Sequence, residues 1–239
     1  MELHQFRHSA FCEKVRLILA YKGLQATLVE VTPGLGQLGI FRLSGQRQVP
    51  VLVDGQEVIP DSTAIALHLE ERHPLPALVP AEPDERARCL LMEDWADTAL
   101  ATGARLALVQ AAAADPVIRS SLLPEATPAP IRTLFGSLPG DVMAPVTETL
   151  RDVLTPCQAR QMRRSLEALT CLITRSPYLV GNGLSLADLA VAAQLSLLKF
   201  PASAGAPLAG RGVEGLADHP DFEPLFSWRD RVLGEAHHR

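Results

Sequence analysis

The stretch "VPVLVDGQEVIPDSTAIALHLEERHP", residues 49–74, decides the fold. Two apolar runs flank Asp54-Gly55, a pair that favours a tight primed turn, so the first half predicts a β-hairpin. "PDSTAIALHLEERHP" then opens with cap-type residues, puts Ile65 and Leu69 on one face and stops at Pro74, which predicts a helix.

Working outward from there, "ELHQF" reads as a short strand. "AFCEKVRLILAYKG" reads as a helix with Val15, Ile18 and Leu19 on one face and Gly23 as its stop. "ATLVEV" is a second, β-branched strand, and "GQLGIFRLSG" a weaker helix. Residues 1–76 therefore predict the order β-α-β-α-β-β-α, a small α/β domain whose last two strands are antiparallel. Residues 74–83, "PLPALVPAEP", are proline-dense and read as a linker.

From residue 84 to 239 the pattern is helical, so the fold class is α/β plus all-α. "DERARCLLMEDWADTALATGARLALVQAAAA" is one long helix or two abutting ones. "TPCQARQMRRSLEALTCLITR" begins with Thr155 as N-cap and Gln158 three residues later, a capping box, and carries the stripe Met162, Leu166, Leu169 and Ile173. "LSLADLAVAAQLSLL" repeats the box with Ser185 and Asp188, flanked by a staple of Leu184 and Leu189. That last helix is apolar almost all round and is expected at the centre of the helical domain. Six prolines between residues 115 and 155 forbid one long helix there and predict short helical pieces joined by loops.

Composition narrows the function. A net charge of −5 provides no basic stripe for nucleic acid. No apolar stretch is long enough for a membrane span, and "MELHQFRHSAF" lacks the pattern of a signal peptide. Cys12, Cys89, Cys157 and Cys171 are scattered without a CxxC, which predicts reduced thiols in the cytoplasm. His4, His8, His237 and His238 do not form a ligand set, so no metal is expected.

Chemistry concentrates in "HSAFCEKVR", residues 8–16, where Ser9 and Cys12 lie at the start of a helix. Such a terminus presents unpaired N–H groups and a partial positive charge, which favour an anion and lower a thiol's pKa. Ser9 taken alone is also an ordinary cap, as is Asp61-Ser62 at the later helix. Val49-Pro50, just before the hairpin, is weak evidence as a bare dipeptide.

The domain order, the proline linker and these three motifs in sequence resemble the glutathione transferase superfamily. Its catalytic side chain caps the first helix of a thioredoxin-like domain in patterns similar to S-P-F-S-x-R-V or C-P-F-x-x-R. "SAFCEKV" keeps the serine, phenylalanine, basic residue and valine in register, with Ala10 replacing the usual proline. The resemblance implies that Ser9 donates to the thiolate of glutathione, with Phe11 beside it. It implies a cis bond at Val49-Pro50 that turns the Val49 backbone toward the peptide. Asp61 and Ser62 would hold the γ-glutamyl ammonium and carboxylate, and Arg47 or Gln48, with Gln37 as a further option, the glycyl carboxylate. Trp95, Thr98, Thr102, Phe200 and Trp228 are candidates for an electrophile pocket, although both tryptophans also suit a core. Asp94 or Asp97 on the long helix is a further acid that could reach glutathione across a dimer interface.

The resemblance thus implies a cytoplasmic, homodimeric detoxifying enzyme that joins glutathione to a small hydrophobic electrophile, without metal. Two alternatives stand beside it: a glutathione-dependent reductase or peroxidase using Cys12, where glutaredoxin-like relatives place their second cysteine, and a non-catalytic binding protein.

Overall fold

A computed structural model of the chain describes residues 1–32, 36–123, 127, 129–137 and 156–238. Strand β1 (Glu2–Gln5) leads into helix α1 (Ala10–Tyr21), β2 (Thr27–Glu30) and α2 (Gln37–Ser44). The hairpin β3 (Val51–Asp54) and β4 (Glu57–Pro60) and helix α3 (Ser62–Arg72) complete the order β-α-β-α-β-β-α. The sheet runs β2-β1-β3-β4, with β1 and β2 parallel and the other two pairings antiparallel. This is the expected thioredoxin-like arrangement.

The physical basis is visible in β3. Val51 and Leu52 are both fully buried, so the strand is covered on both faces and reads as a continuous apolar run instead of an alternation. Val51 packs with Val31 and Ile40, joined by Val49 and Val58, which places α2 over one face. Helices α1 and α3 pack against each other, and α3 also meets β3 and β4. The hairpin loop falls one residue later than the Asp54-Gly55 pair: Asp54 pairs with Glu57, leaving Gly55-Gln56 as the loop. Gly55 takes φ +64°, the first central position of a II′ turn, where a side chain would be strained.

The proline-dense segment 74–82 is more than a connector. Glu70 accepts the N–H groups of Leu78 (2.9 and 3.0 Å) and Val79 (3.1 Å). The Lys22 ammonium, buried within this clamp, donates to Glu70, to the His73 carbonyl and to the Pro76 carbonyl at 2.6–2.9 Å. Leu78 and Val79 are buried as a result.

The rest of the described chain is helical: α4 (Pro83–Trp95), a π-turn at Ala96–Leu100, α5 (Ala101–Ala114), α6 (Pro116–Ser121), α7 (Ala129–Gly136), α8 (Pro156–Arg175), α9 (Leu186–Leu198) and α10 (Glu223–His237). The expected long helix is thus two abutting helices. Two of the short pieces expected between residues 115 and 155 are α6 and α7; residues 138–155, Thr155 of the expected capping box included, lie outside the described residues. Leu166 and Leu169 of the α8 stripe are buried, and Met162 and Ile173 half-buried. A Cβ on Gly103 of α5 would stand 2.7 Å from the Met162 sulfur, so a side chain there requires the flexible Met162 side chain to shift. Helix α9 is buried along its whole length, as its apolar circumference requires.

By their contacts the described residues form two compact units. One comprises Met1–Asp97, Tyr178–Ala193 and Arg231–Arg239; the other Thr98–Pro177 and Gln194–Asp230. Helix α4 belongs to the first unit, together with the thioredoxin-like domain.

Candidate functional site

Strand register gathers the three motifs at one end of the sheet. His4 of β1 pairs with Val51 of β3, and Val51 pairs with Pro60 of β4. The chain leaving β1 toward Ser9, the chain entering β3 through Val49-Pro50, and the chain leaving β4 into Asp61-Ser62 therefore lie side by side. Two helices, α1 and α3, begin at that edge, and each directs its first N–H groups there.

Ser9 is the N-cap of α1, with φ −83° and ψ 123°. Its Oγ accepts the Cys12 N–H at 3.4 Å, and its own N–H donates to the Phe6 carbonyl at 3.0 Å. Ser9 is half-buried, and its hydroxyl is also a hydrogen-bond partner of the Cys12 thiol. Phe11, also half-buried, lies two residues along the helix.

Cys12 occupies a different environment. Its side chain is fully buried one turn inside α1, and its sulfur accepts the Phe6 N–H at 3.4 Å. Burial pushes its thiol up from the ordinary value, against smaller lowering by the Phe6 N–H, Ser9 and Arg16.

The Val49–Pro50 bond is cis, as the resemblance implies. Arg47 and Gln48, just ahead of it, are exposed, and the Arg47 guanidinium lies 5.8 Å from the centroid of the exposed Phe41 ring. Asp61 caps α3 through Oδ1, which accepts the N–H groups of Thr63 (2.9 Å) and Ala64 (3.0 Å). Asp61 takes φ +77°, a left-handed value rare outside glycine and tolerated best by Asp and Asn. Ser62 is buried, with its hydroxyl 3.4 Å from Asp97 Oδ2.

That last contact leads to residues that local patterns did not reveal. The Lys14 ammonium is buried between Glu93 Oε1 at 2.6 Å and Asp97 Oδ2 at 2.5 Å, and also reaches Thr63 Oγ1 at 3.3 Å. Thr63 in turn donates to Glu93 at 2.5 Å. Among the described residues Asp97 Oδ1 has no hydrogen-bond partner, and it is buried. Desolvation pushes the Asp97 carboxyl up, opposed by the charge and hydrogen bond of Lys14. A signal did exist: Lys14 shares a stripe with Leu17, Ile18 and Tyr21, and Glu93 one with Cys89, Ala96 and Leu100, so each is a charge on an apolar face.

The remaining candidates are placed as follows. Trp95 is half-buried, and Thr98 and Thr102 are exposed, with the Thr102 hydroxyl donating to the Thr98 carbonyl at 2.7 Å. Phe200 and Trp228 are buried in the second unit, where the Trp228 indole N–H donates to the Pro177 carbonyl at 2.9 Å. Asp94 is exposed on α4. Among the described residues no group of three His, Cys, Asp or Glu side chains is arranged to hold a metal ion. No helix among them is long and apolar enough to cross a membrane.

Comparison with known proteins gives this edge of the sheet a lineage. The family described as glutathione S-transferase, N-terminal domain, matches residues 3–77, the span that contains all three motifs. The match supports a relation to the glutathione S-transferase superfamily for this part of the chain. Glutathione S-transferase Z1 of Arabidopsis thaliana is 34% identical over 90 residues, which span 36% of this chain and 41% of that protein. A stringent starvation protein A homolog of Pasteurella multocida is 31% identical over 100 residues, or 40% of this chain and 47% of that one. The chain thus spans less than half the length of the curated glutathione S-transferase relatives it matches. The solved structure of beta-etherase LigF from Sphingobium sp. strain SYK-6 shares the fold at a TM-score of 0.67, with 22% identity, covering 98% of this chain and 97% of that one. The glutathione S-transferase fold therefore extends over both units, while sequence similarity concentrates in part of the chain.

Proposed function

We propose that the protein is a glutathione transferase in which the Ser9 hydroxyl stabilises the thiolate of bound glutathione for attack on a small hydrophobic electrophile. The observation that carries this reading is the register that sets Ser9, Val49-Pro50 and Asp61-Ser62 on one sheet edge. In this reading the thiol lies at the α1 N-terminus. There the partial positive charge of the helix and one O–H donor favour the anion over the neutral thiol. The peptide backbone of the ligand pairs with Val49 in the manner of an added strand. Asp61 takes the γ-glutamyl ammonium, the α3 N-terminus with Ser62 its carboxylate, and Arg47 or Gln48 the glycyl carboxylate.

The sulfur that attacks belongs to the ligand. A fully buried Cys12 with a raised thiol pKa has little thiolate at neutral pH and no approach for a disulfide partner, which speaks against a reductase built on it. We read the protein as a cytoplasmic homodimer, supported by the exposed apolar side chains of Leu67 on α3 and Leu91 on α4.

The test is Ser9→Ala in a conjugation assay with glutathione and 1-chloro-2,4-dinitrobenzene. The expected loss in kcat/KM is about 10–100-fold, equivalent to a hydrogen bond to a charged group, with glutathione affinity changed only a few-fold. Full activity in Ser9→Ala together with none in Cys12→Ser would reverse the assignment. Absence of glutathione binding by the intact protein would favour a non-catalytic binding role.

A further inference from the structure

The Ser9 hydroxyl is positioned by the three residues that separate β1 from it, Phe6, Arg7 and His8. That loop is held from several sides. The Phe6 N–H donates to the Cys12 sulfur, and the Phe6 carbonyl accepts the Ser9 N–H. The Arg7 N–H donates to Glu30 Oε1 on β2 at 2.8 Å, and the Arg7 carbonyl accepts from Arg16 Nη2 at 2.9 Å. One residue is thus gripped through both of its backbone groups by two side chains of opposite charge.

Arg16 does the wider part of this. Seven residues after Ser9, it lies on the same face of α1 as Ser9, Cys12 and Glu13. Its guanidinium also donates to Gln5 Oε1 and to Glu13 Oε2, the latter from Nε at 2.9 Å. Gln5 in turn donates to Glu30 Oε2 at 3.3 Å. The last residue of β1, the last residue of β2, the loop and the first turn of α1 are therefore tied together around one planar fork of donors. A lysine offers a single point of charge and cannot reach three acceptors in that plane.

We infer that Arg16 is a positioning residue for Ser9: its fork fixes the Phe6–His8 loop and so sets where the Ser9 hydroxyl points at the α1 N-terminus. The inference rests on the reading of Ser9 as the thiolate partner. The charged and titratable groups facing this frame are Glu13 and Cys12 on α1, Glu30 on β2, and Arg7 and His8 in the loop. Arg16 is partly exposed, with 20% of its side chain in contact with solvent, so its removal is not expected to open the core. Its effect falls on geometry, where a displacement of about 1 Å can cost on the order of a hundredfold in rate.

The experiment titrates the thiol of bound glutathione by its ultraviolet thiolate absorbance, in the intact protein and in Ser9→Ala, Arg16→Met and Arg16→Lys, alongside kcat, KM and thermal unfolding. Both Arg16 variants are expected to raise the titration midpoint by about one pH unit and to lower kcat about tenfold. KM for glutathione is expected to stay within about threefold, because the peptide-binding residues are untouched. The thermal midpoint should stay close to that of the unsubstituted protein. Wild-type behaviour in Arg16→Lys would overturn the inference, since charge alone would then suffice. An unmoved midpoint in both Arg16 variants while Ser9→Ala shifts would overturn it as well. An unmoved midpoint in Ser9→Ala defeats the reading of Ser9 and the inference with it. Should Arg16→Met fold poorly, Glu30→Ala frees the same Arg7 peptide from its other side. It is expected to raise the midpoint too, and an unchanged value there also refutes the proposal.

Discussion

Replacing Lys14 by methionine tests the buried charge cluster that joins α1, α3 and α4. Methionine keeps the length of the side chain and removes only the ammonium, so packing changes little. The Lys14 and Glu93 side chains are 1% and 4% exposed, and that of Asp97 is 13% exposed. Both carboxylates would lose the cation that lies 2.5–2.6 Å from them. Breaking a buried ion pair by removing one partner costs about 3–5 kcal/mol, because the remaining charge stays desolvated without compensation. For a chain of this size each kcal/mol lowers the melting temperature by about 2–4 °C, so a fall of about 6–20 °C is expected.

Urea unfolding followed by circular dichroism, with thermal scans beside it, measures that loss. The pH dependence supplies a second check whose sign is fixed. Burial already holds the folded Asp97 carboxyl above its ordinary value, so its ionised form opposes folding at neutral pH and the penalty fades as acid protonates it. Lys14 lowers that pKa, and without it the penalty grows and extends to higher pH. The stability gap between the protein and Lys14→Met should therefore be widest at neutral pH and narrow as pH falls through the raised Asp97 value. A loss below about 1 kcal/mol at neutral pH, the range of a surface pair, would refute the reasoning. So would a gap that widens on acidification.

Two further outcomes follow from the buried groups. In native protein near neutral pH, iodoacetamide should label the exposed Cys171 at least about tenfold faster than Cys12, which burial both shields and keeps protonated; mass spectrometry showing Cys12 labelled first would contradict this. Asp188→Ala should destabilise the protein by about 2–4 kcal/mol in urea unfolding, because it strands the Leu179 N–H, the Ser185 N–H and the Ser185 hydroxyl, now bonded at 2.6–3.0 Å. A loss below about 0.5 kcal/mol, typical of a surface site, would contradict that.

What the sequence made legible divides along the range of the interactions. The hairpin at Val51–Pro60, the cap at Ser9 and the cap at Asp61 are local events, written in neighbouring residues, and both caps appear where the pattern puts them. The hairpin turn shifted by one residue because the Asp54↔Glu57 pair, with His68 on the Asp54 carboxylate at 3.1 Å, extends the ladder beyond the dipeptide that usually marks the turn. The Lys14 cluster lay beyond local reading because its partners are 79 and 83 residues away, and no periodicity within α1 names them. The anchoring of the proline segment 74–82 lay beyond local reading in the same way. Its composition speaks for a linker, while the Glu70 and Lys22 side chains that pin it belong to other elements. The positional role of Arg16 required knowing that β2 ends beside the loop, which only the parallel β1–β2 register reveals.

The chain uses the same device, a polar residue at the start of a helix, at Ser9, at Asp61 and at Ser185, and the three differ in what their hydrogen bonds leave over. Ser185 is buried, and its hydroxyl hydrogen is taken by Asp188 at 2.6 Å, so both its capacities are consumed within the fold. Asp61 is exposed and holds two N–H groups with one oxygen, leaving its other oxygen for a cation. Ser9 is half-buried, accepts one long bond of 3.4 Å, and its hydroxyl is also a hydrogen-bond partner of the Cys12 thiol. Asp61 and Ser9 are both more accessible than Ser185, and they lie at the same edge of one sheet. In the proposed function Asp61 meets the ammonium and Ser9 the anionic sulfur of one γ-glutamyl thiol. That pairing, more than any one motif, is what the proposed function adds to two helix starts.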